Sequence, residues 1–475
     1  DENDKHVWSK EYNENFHDVI AIQQNVAKEI LNQLEITLSP KEKVILAKFP
    51  TENMEAYNLF LKGKLVNNSR STEDLLKNIE LNKQAIALDS TFSESYAEVA
   101  HSYWQLARFH GYKGIIDAFE GIDFAHKYAD SAININPNTF RAWSVKAALS
   151  QYNDWDQANT YYQKALAINP NDALTHLEYA YYFQLRPNPD IKKYLEQLTV
   201  SQQLDPISWL QANSYLYALI FNHKLEEAQD FLNKNKFQLS DRQIRGVEYR
   251  IIAYKNKDWS NVIPFLNNKL EKYPDSSLYY SELAFASSAI LNDKKAAVDY
   301  MKQAYAIDST YMFNVVPYIE VLLEAKKFEE ANRLMASENY NSVLPKRFQL
   351  NKLWYSYYLK GEVDKALEVS RNHLFTNDYL LQVLTYARLG NRKKVDSINK
   401  KYPYGTGVLM MWRANKAILH AVLKDRDSMY YYLEHLKFDD YVLYANRRTE
   451  FDPYRNEERF KAFLRLNYLP VGSSN

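Results

Sequence analysis

Residues 138–170 read NTFRAWSVKAALSQYNDWDQANTYYQKALAINP, and their last seven residues recur along the chain. KALAINP (164–170) is echoed by QAIALDS (84–90), SAININP (131–137) and QAYAIDS (303–309), with SQQLDP (201–206) as a looser copy. Each close copy sets an Ala five residues before a Pro or Ser, and an aliphatic residue two before it. The phrase predicts a helix end at which the next helix turns back. The Ala lets two helices approach, and the aliphatic residue packs under the turn. Asn or Asp followed by Pro or Ser then stops one helix and starts the next.

The interval between copies is regular. Pro137 to Pro170 is 33 residues and Pro170 to Pro206 is 36. Pro206 to Pro274 is 68, with Ser240 at the midpoint, and Pro274 to Ser309 is 35. Ser240-Asp241-Arg242-Gln243 reads as a capping box, which makes the midpoint a helix start. A period near 34 means a helical repeat. Ahead of each phrase, YAEVAHSYW (96–104), RAWSVKAALS (141–150), LEYAYYF (177–183) and YYSELAFASS (279–288) put an aromatic, an aliphatic and a small residue on one helical face. Ala100, Ala147, Ala180 and Ala284 mark where the partner helix crosses.

These segments resemble the tetratricopeptide repeat, and 138–170 matches it best through Trp143, Ala147, Ala158, Tyr162, Ala165 and Pro170. Weaker pairs continue through FEEANRLM (328–335), GEVDKALEVS (361–370), RLGNRKKV (388–395) and KDRDSMYYYL (424–433). The resulting expectation is all-α: a tetratricopeptide-repeat right-handed superhelical solenoid of about eleven helical hairpins. Its domains would be 1–50, a connecting segment; 51–440, the solenoid; and 441–475, a capping helix and tail. In that tail DPYRNEERFKAFLRLNYLP reads as a short helix capped by Asp452-Pro453, with Phe460, Phe463 and Leu464 sealing the last hairpin.

Composition agrees. A chain of 475 residues exceeds what one globular core holds, and a solenoid escapes that limit because each repeat contacts its neighbours. Glycine occurs 10 times, where an average chain would carry about 33. Lys+Arg and Asp+Glu both number 59, so nucleic-acid binding, which leaves a basic footprint, is disfavoured. Locally, Arg388, Arg392, Lys393, Lys394, Lys400, Lys401, Arg413 and Lys416 stand against the single acid Asp396. That stretch is a solvated face or a contact to an acidic partner or anionic lipid. With no cysteine, disulfides and thiolate chemistry are excluded.

Residues 1–50 are not repeat. FHDVIAIQQNVAKEILNQLEITLS (16–39) is an amphipathic helix with Val19, Ile20, Ile22, Val26, Ile30, Leu31 and Leu34 on its apolar stripe. Trp8, Tyr12, Ile22-Gln23, Ala27, Ile30 and Leu38-Ser39-Pro40 resemble the last strand and helix of the TolB-like amino-terminal module of bacterial membrane-linked regulators. The family pattern continues in Thr51, Ala56-Tyr57 and Gly63, in the insertion RFHGYKGIIDAFEG (108–121), and in Asp452-Pro453, Arg459-Phe460 and Leu469-Pro470. The resemblance implies an output module and a membrane helix upstream. It makes 1–50 the remnant of the TolB-like module, and the chain, which starts at Asp1 without Met, the extracytoplasmic sensory or interaction arm of a membrane-anchored regulator.

Catalytic signatures are absent from the sequence. No two of the ten histidines have i, i+4 spacing, and there is no HExxH and no P-loop. Gly405-Thr406-Gly407 reads as a turn, and Asp439-Asp440 does not converge as a glycosidase pair would. No cofactor or metal is expected. What remains is a concave groove lined by the first helix of each hairpin. Repeat register places His101, Trp104, Gln105, Arg141, Ser144, Tyr181, Asn213 and Tyr217 on it. The expected function is a non-catalytic scaffold holding a protein or peptide there, with self-association as a further option and membrane contact through an upstream segment. The alternatives are a free-standing, co-chaperone-like adaptor, cytoplasmic in that case, and a ligand- or glycan-binding lipoprotein.

Overall fold

The structure, a computed structural model, describes residues 50–66, 71–110, 118–151, 154–186, 189–343, 346–371, 379–401, 412–436 and 439–471. All of the TolB-like remnant (1–50) but Pro50, the middle of the 108–121 insertion and the Gly405-Thr406-Gly407 turn lie outside the described residues. Among the described residues every regular element is helical. The chain divides into two compact units, 1–103 with 124–145, and 104–123 with 146–475.

The first unit holds α1 (Met54–Val66), α2 (Thr72–Leu88), most of α3 (Ser93–Gln105), α4 (Ala118–Ile135) from Phe124 onward, and the start of α5 (Phe140–Ser150). α1 and α2 pack as a hairpin. Gly63 makes their approach close, because a Cβ there would stand 2.5 Å from Asn78 Oδ1 and 2.6 Å from Asn82 Nδ2. The quoted phrase shows its chemistry at Asp89. Its amide donates to the Ala85 carbonyl, and its Oδ1 accepts from the Thr91 amide. This Asx turn starts the next helix. Asn136 accepts from the Asn138 amide in the same way.

The second unit continues with α6 (Trp155–Ile168), α7 (Ala173–Leu185), α8 (Ile191–Leu204), α9 (Trp209–Phe221), α10 (Leu225–Asn235), α11 (Asp241–Asn256) and α12 (Val262–Lys272). Next come α13 (Ser277–Ala289), α14 (Lys294–Ile307), α15 (Met312–Glu324), α16 (Phe328–Met335), a short extra helix α17 (Glu338–Val343), α18 (Lys346–Lys360) and α19 (Val363–Arg371). The unit ends with α20 (Tyr379–Arg388), α21 (Arg392–Lys401), α22 (Trp412–Val422), α23 (Arg426–Glu434), α24 (Asp439–Asn446) and α25 (Glu458–Leu466). Taken in chain order, the described helices, apart from the short extra α17 and the C-terminal α24 and α25, fit about eleven hairpins of the tetratricopeptide type.

Two kinds of turn alternate. Between hairpins, the phrase Ala is fully buried at Ala85, Ala132, Ala165 and Ala304, and Asn169 and Asp308 repeat the Asx turn. The aliphatic residue departs from expectation: Leu88, Ile135 and Ile307 are 42%, 38% and 44% exposed rather than packed under the turn. The side-chain hydrogen bond closes the turn without them. Ser240 forms the capping box with Gln243 that its sequence predicts.

Within hairpins the turn is different. Seven successive hairpins from α9/α10 to α22/α23 pass through a left-handed residue: His223, Lys257, Asn292, Lys326, Gly361, Gly390 and Lys424. The following amide then reaches back to the helix end, as from Lys224 to the Leu219 carbonyl and from Asp425 to that of His420, both at 2.9 Å. This is the Schellman closure.

The C-terminal segment corrects the expected cap. α25 is capped by Glu457 rather than by Asp452-Pro453, which sit in a 3₁₀ turn where Asp452 accepts from Arg455 Nε. Phe460, Phe463 and Leu464 are buried and α25 packs on α23, sealing the last hairpin. The segment also returns to the middle of its unit. The Trp259 amide donates to the Tyr468 carbonyl at 2.9 Å, and Asn446 Nδ2 donates to the Ala289 carbonyl at 2.9 Å. One apolar core therefore runs from Ala253 to Leu469.

Candidate binding groove

The first helices of the hairpins build the groove. On α9, α11, α13 and α15, residues spaced three or four apart face a shared cavity of about 450 Å³. α9 contributes Asn213 and Tyr217. α11 contributes Arg242, Gly246, Tyr249 and Arg250, α13 contributes Glu282 and Phe285, and α15 contributes Phe313, Pro317 and Glu320. Leu443 of α24 and Arg447 just beyond it form a further wall.

Each helix can present this face because its opposite side is spent on packing. On α13, Leu283 and Ser287 are buried away from the cavity. On α11, Gly246 removes a side chain from the wall, since a Cβ there would lie 3.4 Å from the Tyr217 hydroxyl. Pro317 lacks an amide hydrogen, which deprives the Phe313 carbonyl of its helical donor.

The mouth is aromatic. Phe285, Tyr311 and Phe313 line the cavity and are 41%, 39% and 43% exposed. The Arg242 guanidinium stands 4.9 Å over the Phe313 ring. Deeper in, the Arg250 guanidinium lies 4.8 Å from the Tyr217 ring and 5.1 Å from the Tyr249 ring, and its Nη1 donates to the Gly246 carbonyl at 2.9 Å. These stacks hold a buried cation in place. Glu282 accepts from Arg245 Nε at 3.2 Å. Burial pushes the Glu282 carboxyl up against the pull of Arg245, and its Oε2 is buried with no hydrogen-bond partner.

Farther along the same face the charges are matched. Arg447 lies 3.0 Å from Glu324 and 3.2 Å from Glu320, and Lys352 also pairs with Glu320. Burial alone would raise the Glu320 carboxyl, but Lys352 and Arg447 outweigh it and hold it at about 2. Lys294 Nζ donates to the Arg447 carbonyl at 2.5 Å, and burial lowers this amine to about 8.

The eight expected groove residues divide. Asn213 and Tyr217 line the cavity, where Asn213 Oδ1 is buried with no hydrogen-bond partner. Tyr181 is half-buried and bonds Ser214 Oγ at 2.9 Å, with Arg108 stacked 5.7 Å over its ring. Arg141 is half-buried, its guanidinium 5.3 Å over the Phe140 ring. His101, Trp104, Gln105 and Ser144 are buried, which places them in the packing rather than on an open surface. α3 runs on beyond Gln105 as a π-turn, Leu106–His110, and there Arg108 stacks 5.4 Å over Trp104.

Sequence reasoning missed the residues of α11, α13 and α15. The signal was present: Tyr217, Arg250, Phe285 and Glu320 follow one another at the repeat interval, on the same register. The basic stretch is partly internal. Arg388 stacks on Tyr358, Arg413 donates to the His435 carbonyl, and buried Lys416 donates to Asn399 Oδ1 at 2.7 Å. Burial lowers the Lys416 amine to about 8.

Among the described residues no helix is long and apolar enough to cross a membrane, and no group of three or more His, Asp or Glu side chains is placed to hold a metal ion. No protein-family model matches the chain, and no curated protein matches it. Distant likenesses exist among solved structures. The human IFIT1 dimer with m7Gppp-AAAA aligns at 14% identity over 81% of this chain and 77% of that one, with a TM-score of 0.37. A monomeric IFIT1 mutant with Gppp-AAAA aligns at 15% over 81% and 76%, with a TM-score of 0.36. Yeast Tom70 aligns at 12% over 86% of this chain and 98% of that one, with a TM-score of 0.33.

Proposed function

We propose that the chain is a non-catalytic scaffold whose concave face holds a segment of a protein partner. The observation that carries this reading is the cavity of about 450 Å³ on four consecutive first helices, with Phe285, Tyr311 and Phe313 exposed around it. Its volume lies within the range of about 300–1,000 Å³ usual for ligand sites, enough to seat a few side chains of a peptide. Aromatic and arginine side chains are the residues that anchor interfaces, because they bring large contact area at low entropy cost. A peptide also supplies both donors and acceptors, which suits a lining that carries Arg242, Arg250, Glu282 and Asn213 together.

A peptide-array screen of the chain, followed by calorimetry, tests the reading. Binders found with the native chain should weaken at least tenfold with Phe285→Ala/Phe313→Ala. An array with no binder, or binders indifferent to both substitutions, sinks it.

For its setting, we infer the extracytoplasmic arm of a membrane-anchored bacterial regulator. The support is the ordered likeness from Trp8 to Pro470. Fractionation of cells expressing the complete gene product is the test, and recovery of the product in the cytosol alone would reject that setting.

A further inference from the structure

The concave face is open beside α9 and α11 and filled farther on, and the element filling it is α24. It packs on the first helices α13 and α22. Its end reaches two more: Arg447 pairs with Glu320 and Glu324 of α15, and the Arg448 guanidinium lies 5.2 Å over the ring of Tyr355 on α18. Val442 and Leu443 are its buried apolar side. Asn446 takes the Ala289 carbonyl at the end of α13, which has lost its helical donor. The contacts to α13, α15 and α18 run between segments more than 90 residues apart, whereas those to α22, like those of α25 to α23, join near neighbours in the chain. α24 is thus seated as an amphipathic helix is seated in a receptor groove.

The chemistry of the seat is specific. Glu320 and Glu324 stand one turn apart on α15 and converge on a single guanidinium. Buried ions contribute little net stability, because desolvation offsets their attraction, yet they fix register and orientation. An apolar plug would fill the same space without needing Arg447, Lys294 or Lys352. The seat also adjoins the open cavity, since Leu443 and Arg447 form part of its wall.

We infer that Tyr441–Arg448 is an internal ligand, and that the face between α13 and α18 recognises a short helix with an apolar side ending in Asn-Arg-Arg. A partner helix of that chemistry competes with α24 for the seat. This goes beyond the cavity reading and does not depend on it.

A labelled synthetic peptide of residues 439–450 is the probe, titrated against the full chain and its Arg447→Ala variant by fluorescence anisotropy. The peptide should bind the variant at least tenfold more tightly than the native chain, whose seat is occupied. Adding Glu324→Ala to the variant should abolish that binding. Equal or absent binding to a variant that keeps its helical circular dichroism overturns the inference. Should Arg447→Ala not fold, hydrogen exchange on the native chain decides. Amides of 439–448 should exchange through an opening that leaves α13 and α15 protected, and exchange only together with those helices overturns it. Loss of the Phe285 and Phe313 effects would leave this result untouched, so the two readings fail separately.

Discussion

Two stretches of one concave face, built by the same repeat, have opposite characters. From α9 to α13 the inner residues are aromatics and arginines around open space. From α13 to α18 they are Glu320 and Glu324 locked onto Arg447, with Lys352 on Glu320 and the Tyr355 ring under Arg448. Backbone geometry is the same in both, down to the left-handed residue in each hairpin turn. The difference lies in whether the chain itself supplies the complement. A solenoid fixes where inward side chains point, and the sequence at those positions alone decides whether the face is a site or a seam.

The largest break in this comparison is Arg447→Ala. It leaves Glu320 and Glu324 facing each other without their shared cation, and should destabilise the second unit by about 3–5 kcal/mol. Urea unfolding measures it, with Arg242→Ala at the open mouth as the counterpart at under about 0.5 kcal/mol. Equal effects would erase the distinction.

Acid should act next, through Glu320 of the filled stretch. Glu320 is held at about 2 against an ordinary 4.5. Its folded value is depressed, so its contribution is complete above about 4.5 and fades as pH falls toward 2. Limited proteolysis after residue 436 should therefore accelerate across that window, and Glu320→Gln should flatten the profile.

Gly246→Ala sharpens the comparison from the open side. It removes a mid-helix glycine and should raise stability by about 0.5–1 kcal/mol while narrowing the cavity and weakening any ligand there. A calorimetric melt together with peptide titration reads both. Smallest of all, Lys257→Gly beside the open stretch and Lys326→Gly beside the filled one should each gain about 0.5 kcal/mol, since both lysines hold left-handed backbone. The two melts should shift alike if the scaffold is common to both stretches.

Much of this architecture is written in local chemistry. The Ala of each phrase is fully buried, Asp89, Asn136, Asn169 and Asp308 make the Asx turns, and Ser240 caps α11. The complementary turns left little trace, because lysine, histidine and asparagine occupy five of the seven left-handed positions, where glycine would have signalled them. The groove was legible only in part. Asn213 and Tyr217 followed from register, whereas His101, Trp104, Gln105 and Ser144 share that register and are buried. Periodicity tells which side of a helix is inner, not how deeply a neighbour covers it. The return of the C-terminal segment was invisible for a different reason: Arg447 and Glu324 lie 123 residues apart, and no local pattern connects them.

The bond from Trp259 to Tyr468 and that from Asn446 to Ala289 bear on how the chain folds. An open repeat array can nucleate anywhere and fray from either end, since each repeat answers only to its neighbours. Here hairpins from α11 onward are joined at both ends, so fraying at the terminus must also break the middle. Closing that loop asks for non-local contacts, which come slowly. During synthesis the hairpins can form in order while the last contacts wait for residue 468 to emerge. The array then exchanges piecewise melting for a single, more cooperative transition.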